Sequence, residues 1–200
     1  MNHVRFPIIF EKAFSEDFCN KILNTNKDVH FQKALVEMTD HERLDVRKSK
    51  VKFISPKWLY DSLNPFFIKA NKLGNWNFQF DWFEPAQITN YNKNDFYKWH
   101  ADDFEKPYSS DHDNVNFRNK IRKLSCSILL TDPNKFKGGS LDFAKSFSRE
   151  GEITLQKTNV KLNNLGDLIV FPSFIHHRVN PVVEGERTSL VVWALGKTYD

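Results

Sequence analysis

Hydrophobic and polar residues alternate along much of the chain after residue 75, and alternation with a period of two predicts β-strands. The most regular case is an aromatic series at 76–82, in which every second residue is Trp or Phe. Clusters of Gly, Asn, Pro and Asp separate the later strands, as expected for short strands joined by turns. These later strands are predicted at 87–91, 124–130, 140–144, 152–156, 167–171 and 188–195.

Helical patterns come first in the chain. Ser15 stands before two acids, which predicts a helix N-terminus there and a helix that runs to about Asn26. A second helix is predicted from Ser55-Pro56 to Gly74, with an interruption at Asn64-Pro65. The remaining N-terminal segments are predicted as a buried strand at 6–10 and a solvated loop at 40–50, while 31–38 fits a strand or a helix and we favour the strand.

This order of elements, helices first and then about seven strands, predicts a mainly β protein with flanking α-helices, built as a sandwich or barrel with helical cover. We expect a single domain over 1–200, in which 1–75 is a helical support and 76–196 is the β core. A long polar segment at 103–123 interrupts the strands, and loops of that length are usually functional or mobile.

Composition narrows the range of functions. Hydrophobic residues make up 40% of the chain and 19 residues are Phe, which is enough for a large core and excludes a disordered chain. The net charge of +4 is spread without a basic run, which disfavours a nucleic-acid partner. The chain has neither an apolar run of membrane-spanning length nor the apolar segment of a signal peptide, so we expect a cytoplasmic protein with no membrane partner.

Candidate metal chemistry begins in the stretch YKWHADDF at 97–104. On an extended segment residues two apart project to one face, so His100 and Asp102 can bind one ion together. A third ligand is available from His176 or His177. Two His and one carboxylate leave three positions of an octahedral metal open, which is the arrangement of non-haem Fe(II) oxygenases.

A candidate anion site follows on the last predicted strand. Arg187, Ser189, Val191 and Trp193 share one face of that strand. A buried arginine needs a charged partner, and a carboxylate can accept two parallel hydrogen bonds from a guanidinium. A dicarboxylate that chelates the metal with one end could therefore give its other end to Arg187.

Taken in order, these motifs resemble the prolyl 4-hydroxylase branch of the Fe(II)/2-oxoglutarate dioxygenases. The likeness is greatest to the bacterial and phage PKHD-type hydroxylases, whose metal histidine also begins H-R-V-x-P-V and precedes the arginine by ten residues. It covers about residues 75–196. The motifs that carry it are Tyr91-x5-Tyr97-x2-His100-x-Asp102, FKGGSLDF at 136–143, GDLIVFP at 166–172, H-R-V-x-P-V from His177, Gly185-x-Arg187-x-Ser189 and Trp193.

The resemblance implies a double-stranded β-helix, the cupin-like jelly roll. It implies Fe(II) held by His100, Asp102 and His177, because His177 and not its neighbour stands at the H-R-V-x-P-V position. It further implies that Arg187 binds the far carboxylate of 2-oxoglutarate, with Tyr91 and Ser189 as hydrogen-bonding helpers. The side chains expected near the substrate are Trp193, Tyr97 and Asp103.

The activity implied is hydroxylation of an aliphatic C–H bond, coupled to decarboxylation of 2-oxoglutarate to succinate, with O2 as co-substrate and ascorbate (vitamin C) as an accessory. We favour a prolyl residue of a peptide or protein as the substrate, and the alternative substrate is a free amino acid or other small molecule. The alternative to an enzyme is a catalytically silent jelly-roll binding module. A phage or bacterial origin fits the resemblance. The sequence departs from several animal prolyl hydroxylases at Leu129, where they carry a tyrosine that helps to hold 2-oxoglutarate.

Overall fold

The computed structural model describes residues 7–34, 46–103, 106–149 and 152–198. The helices are α1 (Glu16–Asn24) and α2 (Lys57–Leu73), and a short 3-10 helix spans Pro133–Lys135. The strands are β1 (Ile8–Phe10), β2 (Gln32–Lys33), β3 (Arg47–Lys48), β4 (Lys50–Ile54), β5 (Trp82–Phe83), β6 (Ala86–Tyr91), β7 (Phe96–His100), β8 (Lys120–Leu129), β9 (Phe136–Gly138), β10 (Leu141–Arg149), β11 (Glu152–Val160), β12 (Leu168–Pro172), β13 (His176–Val179), β14 (Val182–Gly185) and β15 (Arg187–Lys197).

The strands form two large antiparallel sheets and one small one. The eight-stranded sheet has the order β1-β12-β8-β15-β6-β4-β2, with β5 added beside β15. The five-stranded sheet has the order β11-β10-β13-β7-β3, and β14 pairs with β9. Neighbours within each large sheet are mostly distant in sequence, as in a jelly roll, so the expected mainly β fold is confirmed.

One face of the eight-stranded sheet is covered by the helices. Ser15 caps α1, since its Oγ accepts a hydrogen bond of 3.2 Å from the backbone N–H of Phe18, as predicted. Alternate side chains of the central strands pack against the helices in one apolar cluster. The fully buried members of this cluster include Ile22, Leu59, Leu63, Phe67, Ile88, Leu124, Ile128, Leu190 and Val192.

Helix α2 runs without a break, so the predicted interruption at Asn64-Pro65 is wrong. The buried residues Leu59, Leu63, Phe67 and Ala70 lie at helical spacing on both sides of the proline and form one continuous apolar stripe. Pro65 itself is exposed. Burial of the stripe therefore holds the helix together past a residue that removes one of its hydrogen bonds.

The predicted strand at 76–82 is also wrong. Trp76, Phe78 and Phe80 are partly buried at alternate positions, but Trp82 is exposed, and only Trp82–Phe83 pairs with β15. Asn75 and Asn77 have positive φ angles of 53° and 57°, which an extended strand does not allow. The side chain of Asn71 on α2 instead holds the backbone of Phe78, with hydrogen bonds of 2.8 and 3.0 Å.

The N-terminal part contains more strand than expected. Residues 47–50 are not a solvated loop, because Arg47–Lys48 forms β3 and β4 begins at Lys50. The part of that prediction at 40–45 and half of the predicted strand, residues 35–38, lie outside the described residues, and within 31–34 only β2 is a strand. Strand β1 lies at a sheet edge and leaves Ile9 42% exposed, so it is not a buried strand. The single-domain boundary over 1–200 stays a prediction.

A second apolar cluster lies between the two large sheets. Its members come from both inner faces, and they are Tyr91, Leu129, Leu141, Phe143, Val160, Leu162, Ile169, Phe171, Val179 and Val182. The inner face of β15 is polar at Arg187 and Ser189, whereas Leu190 and Val192 point to the helices. A cavity therefore opens beside the second cluster. No helix in the described part of the chain is long and apolar enough to cross a membrane.

Candidate metal and co-substrate site

The cavity between the sheets has a volume of about 590 Å³. It brings together eight of the nine side chains that the sequence singled out, although they come from four strands and one loop. These eight are Tyr91, Tyr97, His100, Asp102, His177, Arg187, Ser189 and Trp193. Asp103 is half-buried but does not line it, so the structure does not place that residue with the others.

The two histidines are direct cross-strand neighbours, because His177 on β13 pairs with His100 at the end of β7. Each has its Nδ1 atom at a backbone carbonyl two residues before it, 2.8 Å from Lys98 O and 2.9 Å from Ile175 O. A carbonyl oxygen can only accept a hydrogen bond, so both Nδ1 atoms carry the proton. Both Nε2 atoms are therefore left with a lone pair for a metal.

Asp102 completes the group from the loop after β7. Its backbone N–H donates to Ser173 O at 2.8 Å, and this bond fixes the residue against the start of the segment that leads to β13. Its Oδ1 lies 3.7 Å from His100 Nε2, and its Oδ2 lies 3.6 Å from His177 Nε2. Each of the three residues offers one ligand atom, and these atoms lie within 4.8 Å of one another.

This geometry suits a metal ion. Three atoms mutually within 4.8 Å share a point within about 2.8 Å of each, close to the length of a metal–ligand bond at about 2.0–2.2 Å. Asp102 Oδ2 is fully buried and accepts no hydrogen bond from the described residues. A buried carboxylate oxygen without a partner is costly, and a cation between the three side chains would remove that cost. The residues present therefore fit Fe(II).

Electrostatics favour the protonation states that a metal requires. Burial, together with the neighbouring His177, lowers the pKa of His100 to about 3, so its ring is neutral at physiological pH. Burial alone would raise the pKa of Asp102, but the surrounding His177, His100 and Arg122 together hold it below its usual value. The result is neutral imidazole beside an ionised carboxylate.

Aromatic rings hold the imidazoles in place. Tyr97 stacks on His100 with ring centroids 3.5 Å apart and planes 15° from parallel. His177 packs edge-on against Phe171 at 4.7 Å and lies over Phe143 at 5.9 Å. These contacts restrict the rotation of each ring about its side-chain bonds. The metal-facing nitrogens are thus positioned before any ion binds.

Arg187 occupies another part of the same cavity. Its side chain is 3% exposed, its Nη1 donates to Ser189 Oγ at 3.1 Å, and it pairs across the sheet with Tyr91. In the described part of the chain, Arg187 has no carboxylate within ion-pair distance. Burial raises the pKa of Tyr91, which keeps its hydroxyl protonated. Arg187 is therefore a buried cation whose guanidinium can donate two parallel hydrogen bonds to a carboxylate of a ligand.

Gly139, which lies in the FKGGSLDF motif, makes room for that arginine. Its φ angle is +64°, and a Cβ atom there would lie 2.7 Å from Arg187 Cδ. Any larger residue would therefore strain the backbone and displace the guanidinium. Leu129, noted as a departure from the tyrosine of other enzymes, is buried in the second apolar cluster and does not line the large cavity.

A buried ion pair behind Asp102 was not found by sequence reasoning. Arg122 on β8 binds Glu84 through two hydrogen bonds of 2.7 Å, and both side chains are 6% exposed. The same guanidinium donates to Asp102 O at 3.2 Å and lies 4.0 Å from the ring of Trp193. Glu84 also accepts a 3.0 Å hydrogen bond from Tyr108 in the polar loop. This pair connects the loop to the backbone of Asp102.

A jelly roll that carries two His and one carboxylate between its sheets, with a buried arginine in the same cavity, defines the class of the non-haem iron, 2-oxo-acid-dependent enzymes. Sequence comparison gives the family within that class. The chain belongs to the 2OG-Fe(II) oxygenase superfamily, whose profile matches residues 86–195. The expected cofactors, Fe(II) and 2-oxoglutarate, are confirmed at this level, and O2 is the co-substrate that they imply.

Similar sequences include PKHD-type hydroxylases. One from Xylella fastidiosa (strain M12) is 34% identical over 111 residues, which is 54% of this chain and 43% of that protein. One from Teredinibacter turnerae is 36% identical over 70 residues, 35% of this chain and 27% of that protein. The chain covers less than half the length of these relatives. The expected likeness to the PKHD type is confirmed.

Solved structures confirm the fold. A prolyl-4-hydroxylase from Pseudomonas putida matches with a TM-score of 0.66 at 19% identity, over 96% of this chain and 93% of that one. A viral collagen prolyl hydroxylase from Paramecium Bursaria Chlorella virus-1, solved with 2-oxoglutarate, matches with a TM-score of 0.65 at 16% identity, over 96% and 97%. A Trichoplax adhaerens prolyl hydroxylase in complex with a peptide fragment matches with a TM-score of 0.61 at 13% identity, over 96% and 84%.

Proposed function

We propose that this chain is an Fe(II)- and 2-oxoglutarate-dependent hydroxylase that acts on an aliphatic C–H bond of a prolyl residue in a peptide or protein. One observation carries the proposal: a single cavity holds the cluster of His100, Asp102 and His177 together with the buried Arg187. A metal site and a carboxylate site that share a cavity suit a ligand that chelates with one end and forms an ion pair with the other. 2-Oxoglutarate is such a ligand.

In this proposal each residue has a defined task. His100 and His177 offer Nε2 to the metal because their Nδ1 protons are bound by backbone carbonyls, and Asp102 supplies the negative charge. Arg187 binds the far carboxylate of the co-substrate, and Ser189 orients its guanidinium. Fe(II), when bound, would activate O2 for the coupled conversion of 2-oxoglutarate to succinate and CO2 and of the substrate C–H to an alcohol.

Apolar side chains form part of the cavity wall beside the reacting groups. Phe171, Leu141, Val179 and Val191 line it with apolar side chains around the polar cluster. An apolar wall strengthens the interactions of the enclosed charges and protects a reactive centre from side reactions. A surface pocket of exposed acids would not have this property.

Support for a prolyl substrate comes from the relatives. The similar structures include prolyl hydroxylases, one of them in complex with a peptide fragment. The polar loop at 106–119 is joined to the metal region through Tyr108 and Glu84, which suits a segment that contacts a peptide. A free amino acid or other small molecule is the alternative substrate, and a silent binding module is the alternative to an enzyme. The cytoplasmic location stays a prediction.

The test measures succinate formed from 2-oxoglutarate with Fe(II) and O2, first without substrate and then with proline-containing peptides and free amino acids. We expect turnover that a peptide stimulates, with a gain of one oxygen atom on its proline by mass spectrometry. A His100→Ala variant is the control for the metal site. If the wild type forms succinate no faster than that variant, the enzyme proposal is contradicted and the silent binding module is favoured. Stimulation by free amino acids alone would select the alternative substrate.

A further inference from the structure

A second buried arginine lines the cavity without a counter-ion. Arg47 on β3 is 8% exposed, and its Nε donates to Ser49 Oγ at 3.0 Å. Its guanidinium lies over the ring of Tyr97 at 4.6 Å. Among the residues that the structure describes, no carboxylate lies within ion-pair distance of it. Its neighbour Lys48, by contrast, is paired with Asp95 at 3.1 Å.

Arg47 lies close to the metal ligands. The ring of Tyr97 contacts both the guanidinium of Arg47, at 4.6 Å, and the ring of His100, at 3.5 Å. The guanidinium carbon therefore lies at most about 8 Å from the centre of the His100 ring. At that distance the guanidinium of Arg47 can contact a group of the primary substrate, the molecule whose C–H bond would be hydroxylated.

The charges of the cavity show why the co-substrate does not account for Arg47. Three buried arginines line the cavity: Arg47, Arg122 and Arg187. Arg122 is neutralised by Glu84. One Fe(II), the carboxylate of Asp102, the cation of Arg187 and the two negative charges of 2-oxoglutarate sum to zero. One buried positive charge is left, and a buried charge without a partner is costly.

We propose that Arg47 binds a carboxylate of the primary substrate, so that the enzyme selects substrates with an anionic group next to the hydroxylated carbon. This inference rests on the proposed hydroxylase function and names the substrate chemistry of that site. The Nε of Arg47 is taken by Ser49, while its two terminal nitrogens remain to donate a pair of parallel hydrogen bonds. The carboxylate comes either from the end of a chain, as in free proline or a C-terminal prolyl residue, or from an acidic side chain beside the proline.

The experiment uses matched probe pairs that differ only in one carboxylate. N-acetyl-L-proline is compared with its amide for the terminal source, and N-acetyl-Asp-Pro-amide with N-acetyl-Asn-Pro-amide for the side-chain source. Binding to the protein loaded with Fe(II) and 2-oxoglutarate is measured by calorimetry without oxygen, and KM and kcat are measured with oxygen. The variants are Arg47→Gln and Arg47→Lys, with Lys48→Gln as the matched control on the same strand. Thermal unfolding checks that each variant folds.

We expect the carboxylate member of one pair to bind about 10- to 100-fold more tightly than its amide, which is the usual worth of a charged hydrogen-bonded contact. Arg47→Gln should abolish that ratio through KM, Arg47→Lys should restore part of it, and Lys48→Gln should leave it unchanged. The pair that shows the ratio identifies the source of the carboxylate.

The proposal is overturned if no carboxylate probe binds at least threefold better than its amide, or if Arg47→Gln keeps the preference. It is also overturned if Arg47→Gln weakens the binding of 2-oxoglutarate rather than the binding of the probe, because Arg47 would then bind the co-substrate. Binding without oxygen needs no turnover. A protein that discriminates the probes but forms no succinate therefore contradicts the proposed function, and one that turns over without discrimination contradicts only this inference.

Discussion

Removing one partner of the buried pair between Arg122 and Glu84 should destabilise the protein strongly. Both side chains are 6% exposed and share two hydrogen bonds of 2.7 Å. Arg122→Met keeps much of the side-chain volume but leaves the Glu84 carboxylate buried, with the hydroxyl of Tyr108 at 3.0 Å as a remaining partner. Breaking such a pair costs about 3–5 kcal/mol. For a chain of this size that corresponds to a fall in Tm of roughly 6–20 °C.

The double variant Arg122→Met/Glu84→Leu allows the interaction within the pair to be measured separately from the contacts that each residue makes with its surroundings. With both charges gone no buried charge is uncompensated, so most of the lost stability should return. Urea unfolding of the wild type, both single variants and the double variant gives the coupling free energy, which we expect to exceed about 2 kcal/mol. The control is Lys120→Met on the same strand, because Lys120 pairs with the exposed Asp81 and should cost less than about 1 kcal/mol.

The same variants test the link to the metal site. The double variant still lacks the hydrogen bond from Arg122 to Asp102 O, so its affinity for Fe(II) should remain below that of the wild type even where stability returns. Two results would refute this reasoning. One is a loss below about 1 kcal/mol for Arg122→Met. The other is a double variant whose loss equals the sum of the single losses.

Three further predictions concern the cavity. Gly139→Ala should raise the KM for 2-oxoglutarate about tenfold, since a Cβ would lie 2.7 Å from Arg187 Cδ; an unchanged KM in a folded variant would contradict this. Arg187→Gln should raise the same KM about 100-fold or more and Arg187→Lys less, in assays of succinate formation, because a lysine keeps the charge but not the fork. In the metal-free protein His100 has its pKa lowered to about 3, so the unfolded chain binds more protons below pH 6.5 and stability falls as the pH falls towards 3. The loss at pH 5 should be about 2 kcal/mol by urea unfolding, and His100→Gln should remove it.

The metal and arginine positions could be predicted because they follow from strand periodicity. His100 and Asp102 lie two apart and both line the cavity as expected, although Asp102 lies in the loop after β7, and the alternation of β15 places Arg187 and Ser189 on the cavity side. Periodicity alone did not decide between His176 and His177. The resemblance selected His177, which is the buried one of the two and the one in the cluster.

The strands β3 and β4 were missed because their residues are largely basic. Arg47, Lys48, Lys50 and Lys52 resemble a solvated loop when only composition is considered. In the structure these charged side chains have different partners: Lys48 forms an ion pair with Asp95, and Lys52 lies 3.4 Å from the carbonyl of Thr25. Arg47 turns into the cavity. Contacts between residues far apart in sequence decide such cases, and a single sequence does not contain them.

The ion pair of Arg122 and Glu84 was missed for a similar reason. The two residues are 38 positions apart, and each is an ordinary charged residue beside a strand in the sequence. Only the pairing of β8 and β5 with β15 brings them together behind Asp102. The contact between Gly139 and Arg187 also joins residues far apart in sequence, so the motif at 136–143 did not reveal it.

The most direct test of the metal site compares His176 with His177. These neighbours have the same chemistry, but His176 is exposed and His177 faces Asp102. Conversion of 2-oxoglutarate to succinate with Fe(II) and O2 is measured for the wild type and for His176→Ala and His177→Ala, together with the rise in Tm on adding Fe(II) without oxygen. We predict that wild type and His176→Ala show both effects and that His177→Ala shows neither. Turnover that survives in His177→Ala, or is lost in a folded His176→Ala, would contradict the assignment of the iron site.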